Sequence, residues 1–352
     1  MKKKVSIHDI ASQLNISATT VSFILNGKGK EKRISARLQK KVLDYVQQVN
    51  FQPNQIAQSL RTGKTKIIGM LVEDISDPFF SAIARIVEEQ AYKSGYKIFN
   101  SSTENEMSRA RALIKVLRER QVDGYIIAPS EGIEKDIQLL IDDKLPVVLF
   151  DRYFPSVPTM NVVVDNTGGA HAAARHLFEN GCSRIAMVTL ESEQVQMIDR
   201  LKGYLRLVME NGLTSYVLRI PYNLSHEQRV SRVAAFLKKH PALDGILFAT
   251  NYLAISGLEA IHQLNLTVPG DIAIVGFDDN IHFALFSPSV SAIAQPIEEM
   301  SRTVIEKLIE KLSDEHAIKI SETIILPTKL IIRQSSQHIK TADNLLFPVE
   351  KP

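Results

Sequence analysis

Few residues in this chain stand at spacings that support bond-making chemistry. Gly27-Lys28-Gly29-Lys30 lacks both the spacing of a phosphate-binding P-loop and the Ser or Thr that must follow its lysine. His171 and His176 are five residues apart, about 140° around a 3.6-residue helical repeat, so they do not form a metal-binding pair. There is neither a Gly-x-Ser-x-Gly elbow nor a His-Glu-x-x-His pair. Cys182, the single cysteine, excludes an intramolecular disulfide and a cysteine-based zinc site and favours a reducing compartment. The nine histidines are scattered and read as structural or surface residues. What the chain offers instead is recognition chemistry. Ala18, Thr19, Ser22, Phe23 and Asn26 share one face of a short segment near the amino terminus. Residues 1–64 around them hold twelve Lys or Arg against three acids, a net +9, while residues 65–352 carry thirty against thirty-six, a net −6. A basic head on a mildly acidic body points to a polyanionic partner for the head alone.

Elements that position this face follow from caps and periodicity. Ser6 caps a first helix with Ile7, Ile10, Ala11 and Leu14 inward. Asn15-Ile16-Ser17 breaks it, and Ser17 caps a second helix from about 18 to 26 with Val21, Ile24 and Leu25 inward. Gly27-Lys28-Gly29 ends the second helix, and Ser35 caps a third with Leu38, Val42, Val46 and Val49 in one stripe. Two helices about three residues apart, the second with a small polar outer face, form a helix-turn-helix pattern. Asn54 caps a two-turn segment ending near Arg61, too short to be a stable helix alone in water, where about 12–15 residues are marginal. It reads as a linker that orders only against a partner.

The rest is a repeated strand–helix alternation. Strands are expected at 67–72, 97–101, 125–129 and 147–151, with helices near 79–94, 107–120 and 133–143. A second set places strands at 184–189, 217–220, 245–249 and 272–276, and helices near 167–180, 194–211, 225–239 and 252–264. Continuous apolar strands about thirty residues apart indicate parallel sheets covered on both faces, so two doubly wound lobes are expected. Ligands bind such sheets beyond the carboxyl ends of the strands, and the default site is a cleft between facing lobes. At 352 residues, 45% hydrophobic and 23% charged, the chain buries sizeable cores. The opening Met-Lys-Lys-Lys-Val-Ser-Ile-His-Asp-Ile has the charge of a signal peptide without its apolar run, and no stretch approaches the ~20 apolar residues of a membrane span. A soluble, cytoplasmic protein with no membrane association is expected, on the nucleoid when bound to DNA.

These motifs resemble a known family. Val5-Ser-Ile-His-Asp-Ile-Ala followed by Ile16-Ser-Ala-Thr-Thr-Val-Ser-Phe-Ile-Leu-Asn-Gly is similar to the DNA-binding head of the LacI/GalR family of bacterial transcription regulators, and Pro53-Asn-Gln-Ile-Ala-Gln-Ser-Leu-Arg-Thr-Gly to its hinge helix. The likeness continues in order through Asp74-Ile-Ser-Asp-Pro-Phe-Phe, Asp123-Gly-Tyr-Ile-Ile, Phe150-Asp-Arg, Val275-Gly-Phe-Asp-Asp, Gln295-Pro-Ile-Glu-Glu-Met and Leu326-Pro-Thr-Lys-Leu-Ile-Ile-Arg. The resemblance implies an all-α helix-turn-helix head (1–51), a hinge helix and linker (52–64), and a two-lobed α/β effector-binding and dimerisation body (65–340) like that of periplasmic binding proteins. Lobe 1 would span about 65–163 plus 294–325, lobe 2 about 164–293 plus 326–340, with a tail at 341–352.

Site residues carry over from the same resemblance. Ala18 and Thr19 correspond to positions that reach base edges; Ser6, Ser17, Thr20, Ser22 and Asn26 to positions that contact phosphate or fix the helix. Phe23 stands where a base-reading Arg is common. A phenyl ring makes no bidentate contact to guanine, so Phe23 either lies against a thymine methyl or packs inward. Asn54, Ala57 and Leu60 fall in the hinge. Leu60 matches a leucine that the family wedges into the minor groove, unstacking a central step and bending the duplex, unless it packs on the body. For the effector, the resemblance implies Phe79, Phe80, Asp151, Arg152, Arg200, Asn251 and Asp278. Carboxylates and guanidinium forks at strand ends suit a polyhydroxylated or carboxylated ligand, most simply a sugar or sugar derivative. Thr250-Asn251 replaces the family's frequent Asn-Asp and removes one charge.

The implied protein is no enzyme and uses no cofactor or metal. It is a repressor on palindromic double-stranded operator DNA, with a small-molecule effector that changes the angle between lobes and so packs or separates the hinge helices of a homodimer. Residues 341–352 are too short for the carboxyl-terminal bundle of tetrameric relatives, which favours a dimer. The alternative is a sugar-binding transport-type protein with no DNA role, which would need an export signal and no helix-turn-helix head.

Overall fold

The computed structural model describes residues 5–51, 63–314 and 321–337, and divides into two units, residues 1–65 and 66–352. The expected hinge residues Asn54, Ala57 and Leu60, and the tail, lie outside the described residues.

The head contains α1 (Ile7–Leu14), α2 (Ala18–Leu25) and α3 (Ala36–Gln48). Ser6 and Asp9 form a capping box on α1, in which Asp9 N–H donates to Ser6 Oγ and Asp9 Oδ2 accepts from Ser6 N–H. Asn15 ends α1 in the left-handed region at φ 55°, a conformation asparagine tolerates. Ser17 then caps α2 through Thr20 N–H, and Ser35 caps α3 through Leu38 N–H. Ile10, Ala11, Val21, Ile24 and Val42 form the head's core, with Leu14, Leu38 and Val46 packed around it.

The second unit is built on two six-stranded sheets. The first contains β1 (Ile67–Val72), β2 (Lys97–Ser102), β3 (Gly124–Ile127), β4 (Val147–Phe150) and β5 (Met160–Val164), covered by α4 (Pro78–Lys93), α5 (Met107–Glu119) and α6 (Glu134–Asp142). The second contains β6 (Ile185–Leu190), β7 (Tyr216–Ile220), β8 (Gly245–Phe248), β9 (Ala273–Phe277) and β10 (Ser291–Ala294). Its helices are α7 (Asn166–Glu179), α8 (Val195–Glu210), α9 (His226–Lys239), α10 (Asn251–Gln263) and the short α11 (Ile281–Leu285). The chain then returns to the first lobe as α12 (Ile297–Ser313) and β11 (Glu322–Leu326), and to the second as β12 (Lys329–Ile331).

Strand orders are β11-β5-β4-β3-β1-β2 and β12-β10-β9-β8-β6-β7. Without the outermost strand of each, both reduce to the same doubly wound order, 2-1-3-4-5, whose switch point falls between the first and third strands. All pairings are parallel except β10–β12, where a short strand closes the edge of sheet two in the antiparallel sense. The periodicity reading gave four strands per lobe. The fifth and sixth escaped it because β10, β11 and β12 are short, and β11 and β12 are partly exposed. Each lobe has its own core, and the chain passes between lobes near Asp165, near Gln295-Pro296 and near Pro327-Thr328.

Backbones come close in lobe 2 where α7 crosses α8. A Cβ on Gly203 would lie 2.3 Å from the Thr167 carbonyl oxygen and 2.8 Å from the His171 backbone nitrogen, so only glycine fits. Overpacking of this kind costs about 1–3 kcal/mol. Gly203→Ala should lower the urea midpoint of unfolding accordingly. An unchanged midpoint would contradict the close α7–α8 packing.

Candidate functional site

Two surfaces bring the expected residues together, one in each unit. In the head, Thr19 is exposed beside the amino-terminal end of α2, where backbone N–H groups favour anions such as phosphate. Ser17 is occupied by the cap, its Oγ 3.0 Å from Thr20 N and 2.8 Å from Thr20 Oγ1. Asn26 folds back, Nδ2 donating to the Ser22 carbonyl at 2.7 Å. Ala18 packs against the head's core, which limits how much of it faces outward. Phe23 is half-buried and lies outside the apolar cluster, with Lys32 Nζ 5.5 Å from its ring centroid. It is therefore a surface aromatic under a cation rather than a core residue.

In the second unit, all seven expected effector residues line one crevice at the carboxyl ends of the two sheets. Phe79, Phe80, Asp151, Arg152, Arg200, Asn251 and Asp278 surround a cavity of about 40 Å³, room for about three waters at ~10–15 Å³ each. Glu73, Asp77, Gln194, Gln196 and Tyr252 line it too and were not expected. Glu73 directly follows β1 at the switch point, a position that the strand-end rule could have flagged. Asp77 caps α4, accepting from Phe79 N–H at 2.8 Å, and Pro78 at the first helical position completes the helix start. Phe79 and Phe80 meet edge-to-face at 5.0 Å and belong at once to the lobe-1 core and the cavity wall.

Asp151 and Asp278 each immediately follow the fourth strand of their sheet, and both sit in the left-handed region, at φ 65° and 69°. Such backbone costs of order 1 kcal/mol for a non-glycine residue and turns the carboxylate off the strand axis. Two buried guanidinium groups lie among the acids. Arg152 donates from Nη2 to Glu73 at 2.6 Å and from Nη1 to Gln194 at 2.6 Å, and its Nε lies 3.4 Å from Asp151, too poorly aligned for a hydrogen bond. Arg200 donates to Asn166 at 2.9 Å, to the Ala249 carbonyl at 2.6 Å and to Asp278 at 3.3 Å. Its guanidinium lies over Phe277, 3.7 Å from the ring centroid. Asp278 is held from its other oxygen by Gln295 at 2.5 Å, next to a chain crossing between lobes.

Several of these bonds join the lobes. Arg152 and Asn105 of lobe 1 meet Gln194 of lobe 2, Glu131 accepts from Ser192 Oγ at 2.7 Å and from Glu193 N–H at 3.0 Å, and Asn251 approaches Asp77 at 3.5 Å. Burial raises Asp77 to about 6, reinforced by Asp278 and Glu73 and opposed by the Phe79 N–H and Asn251. Burial likewise raises Asp151 to about 6, with Asp278 and Glu73 adding to the rise and Arg152 and Arg200 opposing it. For Arg152, burial acts downward, but Glu73 and Asp151 leave its pKa above the ordinary value.

Other chemistries find no support among the described residues. No group of three or more His, Cys, Asp or Glu is placed to hold a metal ion, and no helix is long and apolar enough to cross a membrane. Cys182 is buried, and burial pushes its thiol up to about 12, far from a reactive thiolate. His171 joins Glu210 across α7 and α8, and His176 joins Ser336, so both histidines tie elements together.

Comparison with known proteins fits both surfaces. Residues 6–54 match the family described as bacterial regulatory proteins, lacI family, and residues 174–336 match the periplasmic binding protein-like domain. The ribose operon repressor of Halalkalibacterium halodurans is 31% identical over 344 residues, covering 96% of this chain and 99% of that protein. The crystal structure of the Lac repressor dimer bound to operator and the anti-inducer ONPF superposes with a TM-score of 0.84 at 21% identity, over 96% of this chain and 100% of that one. A periplasmic binding protein/LacI transcriptional regulator from Alkaliphilus metalliredigens, complexed with D-xylulofuranose, matches with a TM-score of 0.68 at 27% identity, over 77% of this chain and 98% of that one.

Crowded acids make the crevice pH-sensitive. A carboxyl at about 6 in the folded chain and 3.8 unfolded contributes stability that is complete below pH 3.8 and lost as pH rises through 6. Asp77→Asn, which keeps an oxygen for the Phe79 N–H, should therefore stabilise the ligand-free protein by about 1–3 kcal/mol at pH 7.5, the advantage shrinking towards zero near pH 3.5. Denaturant midpoints at the two pH values check this. An advantage independent of pH would contradict it.

Proposed function

We propose, for a chain that belongs to the lacI family of bacterial regulatory proteins and is therefore a DNA-binding transcriptional repressor and not an enzyme, that a carbohydrate held between its two lobes controls its affinity for a palindromic operator. The observation that carries this reading is the crevice itself. An aromatic wall of Phe79 and Phe80 stands against directional polar groups from both lobes, Asp151, Arg152, Arg200, Asn251 and Asp278. Flat apolar faces suit the C–H side of a sugar ring, and carboxylate and guanidinium groups suit its hydroxyls. A relative named for ribose and a structural neighbour holding D-xylulofuranose support the same ligand class.

On the DNA, Thr19 and Phe23 would touch base edges, with Ala18 contributing a methyl contact, while Ser6, Ser17, Thr20, Ser22 and Asn26 set the helix on the backbone. Asn54, Ala57 and Leu60 would form the hinge contact, with Leu60 as the minor-groove wedge. One recognition helix reads one half-site, so a palindrome requires two copies of the chain. Ile281 and Leu285, each 75% exposed on α11, provide apolar surface for that second copy. The alternative of a transport-type binding protein leaves the basic helix-turn-helix head without a role.

Two substitutions separate the two sites. Leu60→Ala should weaken operator binding at least tenfold and leave carbohydrate affinity within about twofold. Asp278→Asn keeps a residue that tolerates the left-handed backbone and should do the reverse. Fluorescence anisotropy with operator and calorimetry with sugars measure both. If Asp278→Asn left the affinity of every bound sugar unchanged, the crevice would not be the effector site.

A further inference from the structure

Resting on the carbohydrate reading above, we infer that this crevice selects uncharged, hydroxyl-rich sugars and rejects their phosphorylated or carboxylated forms, because it meets its occupant with acceptors and offers no free guanidinium fork. Four carboxylates, Glu73, Asp77, Asp151 and Asp278, line the cavity against two guanidinium groups, Arg152 and Arg200. Oxyanion recognition by arginine depends on two parallel N–H groups presented together. Neither arginine has such an edge to give. Arg152 spends one N–H of Nη2 on Glu73 and one of Nη1 on Gln194, and its Nε makes no hydrogen bond but lies 3.4 Å from the Asp151 carboxylate, so each edge of the guanidinium already meets an acid or an amide oxygen. Arg200 has Nε on Asn166 and Nη1 on the Ala249 carbonyl and Asp278, which leaves the two N–H groups of Nη2 on one nitrogen, without the second parallel nitrogen that a fork requires.

Acceptors, by contrast, are left waiting. Asp151 is buried, and its carboxylate accepts no hydrogen bond among the described residues; its one close donor is Arg152 Nε at 3.4 Å. Gln196 is buried with Nε2 on Gln194 Oε1 and with Oε1 unpartnered. That orientation is fixed by the network, since Gln194 Oε1 also accepts from Arg152 and must be the oxygen. A sugar hydroxyl donates to such groups, whereas a phosphate or carboxylate only accepts and adds like charge to a site already rich in it.

Protonation follows the same logic. The groups facing Asp77 are Glu73, Asp278, Asn251 and the Phe79 N–H, and those facing Asp151 are Arg152, Arg200, Asp278 and Glu73. Both carboxyls sit near 6. Hydroxyl donors favour their ionised forms, so affinity for a neutral sugar rises from pH 5 to pH 7.5, and affinity for an anionic one falls.

The test uses the full chain and matched pairs: ribose with ribose 5-phosphate, xylose with xylonate, and glucose with glucose 6-phosphate and glucuronate. Calorimetry at pH 7.5 is expected to give a free sugar that binds at least 100-fold tighter than its anionic counterpart. Glu73→Ala, which removes the acceptor on Arg152 Nη2 together with one negative charge, is expected to narrow that ratio at least tenfold by strengthening the anion; a purely structural loss would weaken both members of the pair. An anionic member that binds wild-type protein as tightly as its parent overturns the selectivity and leaves the carbohydrate reading standing. Binding of no sugar in either form overturns the carbohydrate reading and this inference with it. A ratio unmoved by Glu73→Ala overturns the assignment to the occupied guanidinium.

Discussion

Burying charge between two separately cored lobes is the constraint from which the rest of this molecule follows. Arg152 and Arg200 are each only 2% exposed, and neither can lie in an apolar interior without acceptors within hydrogen-bond reach. Those acceptors come from different places in the chain: Glu73 after β1, Asp278 after β9, Asn166 at the start of α7, and Gln194 just before α8. The pairs therefore hold together loops that the sheets alone would leave independent. Because Arg152–Gln194 spans the lobes, the charge network also ties one lobe to the other. On the proposed function an occupant of the crevice would exchange bonds with this network, and that exchange would couple ligand binding to the lobe angle.

Repetition of the doubly wound sheet gives the crevice its symmetry. Fourth strands β4 and β9 both end in Phe-Asp with the aspartate in the left-handed region, so each lobe turns one carboxylate off its strand end. The lobes differ in what surrounds that carboxylate. Asp278 is held by Arg200 and Gln295, whereas Asp151 has only the misaligned Arg152 Nε beside it. One lobe thus presents a satisfied acid and the other an unsatisfied one. Hydrogen bonding to a ligand would bring the second to the condition of the first.

Much of this was legible in the sequence, for definable reasons. Caps at Ser6, Ser17 and Ser35 mark helix starts by local hydrogen bonding, and the apolar runs at β1, β6 and β9 mark strands buried on both faces. Cleft residues Asp151, Arg152 and Asp278 were implied by the family resemblance, and their place directly after such runs agrees with it. Strands β5, β10, β11 and β12 were missed. Met160–Val164 follows β4 without an intervening helix, so the strand–helix rhythm hides it, and the other three are short segments beside a lobe crossing. Glu73, Gln194 and Gln196 were also missed: the strand-end position of Glu73 was the one available signal, and nothing in Val72-Glu73-Asp74 or Glu193-Gln194-Val195 marks Arg152, 79 and 42 residues away, as their partner. Their role exists only once the lobes face each other. Phe23 was left open between core and surface, because a helix of eight residues has too few turns for periodicity to decide.

Family membership fixes DNA as one partner of the chain, and on the proposed function the crevice would supply the other end of a linkage. Two sites coupled through one conformational equilibrium must influence each other by the same factor, typically about 5–150-fold. The most direct measurement is a complete binding cycle on one protein sample: operator affinity with and without saturating sugar, and sugar affinity with and without saturating operator. The account predicts that both affinities change by one common factor, and that Asp278→Asn abolishes the sugar's effect while operator binding in its absence persists. A sugar that occupies the crevice and leaves operator affinity unchanged would contradict it.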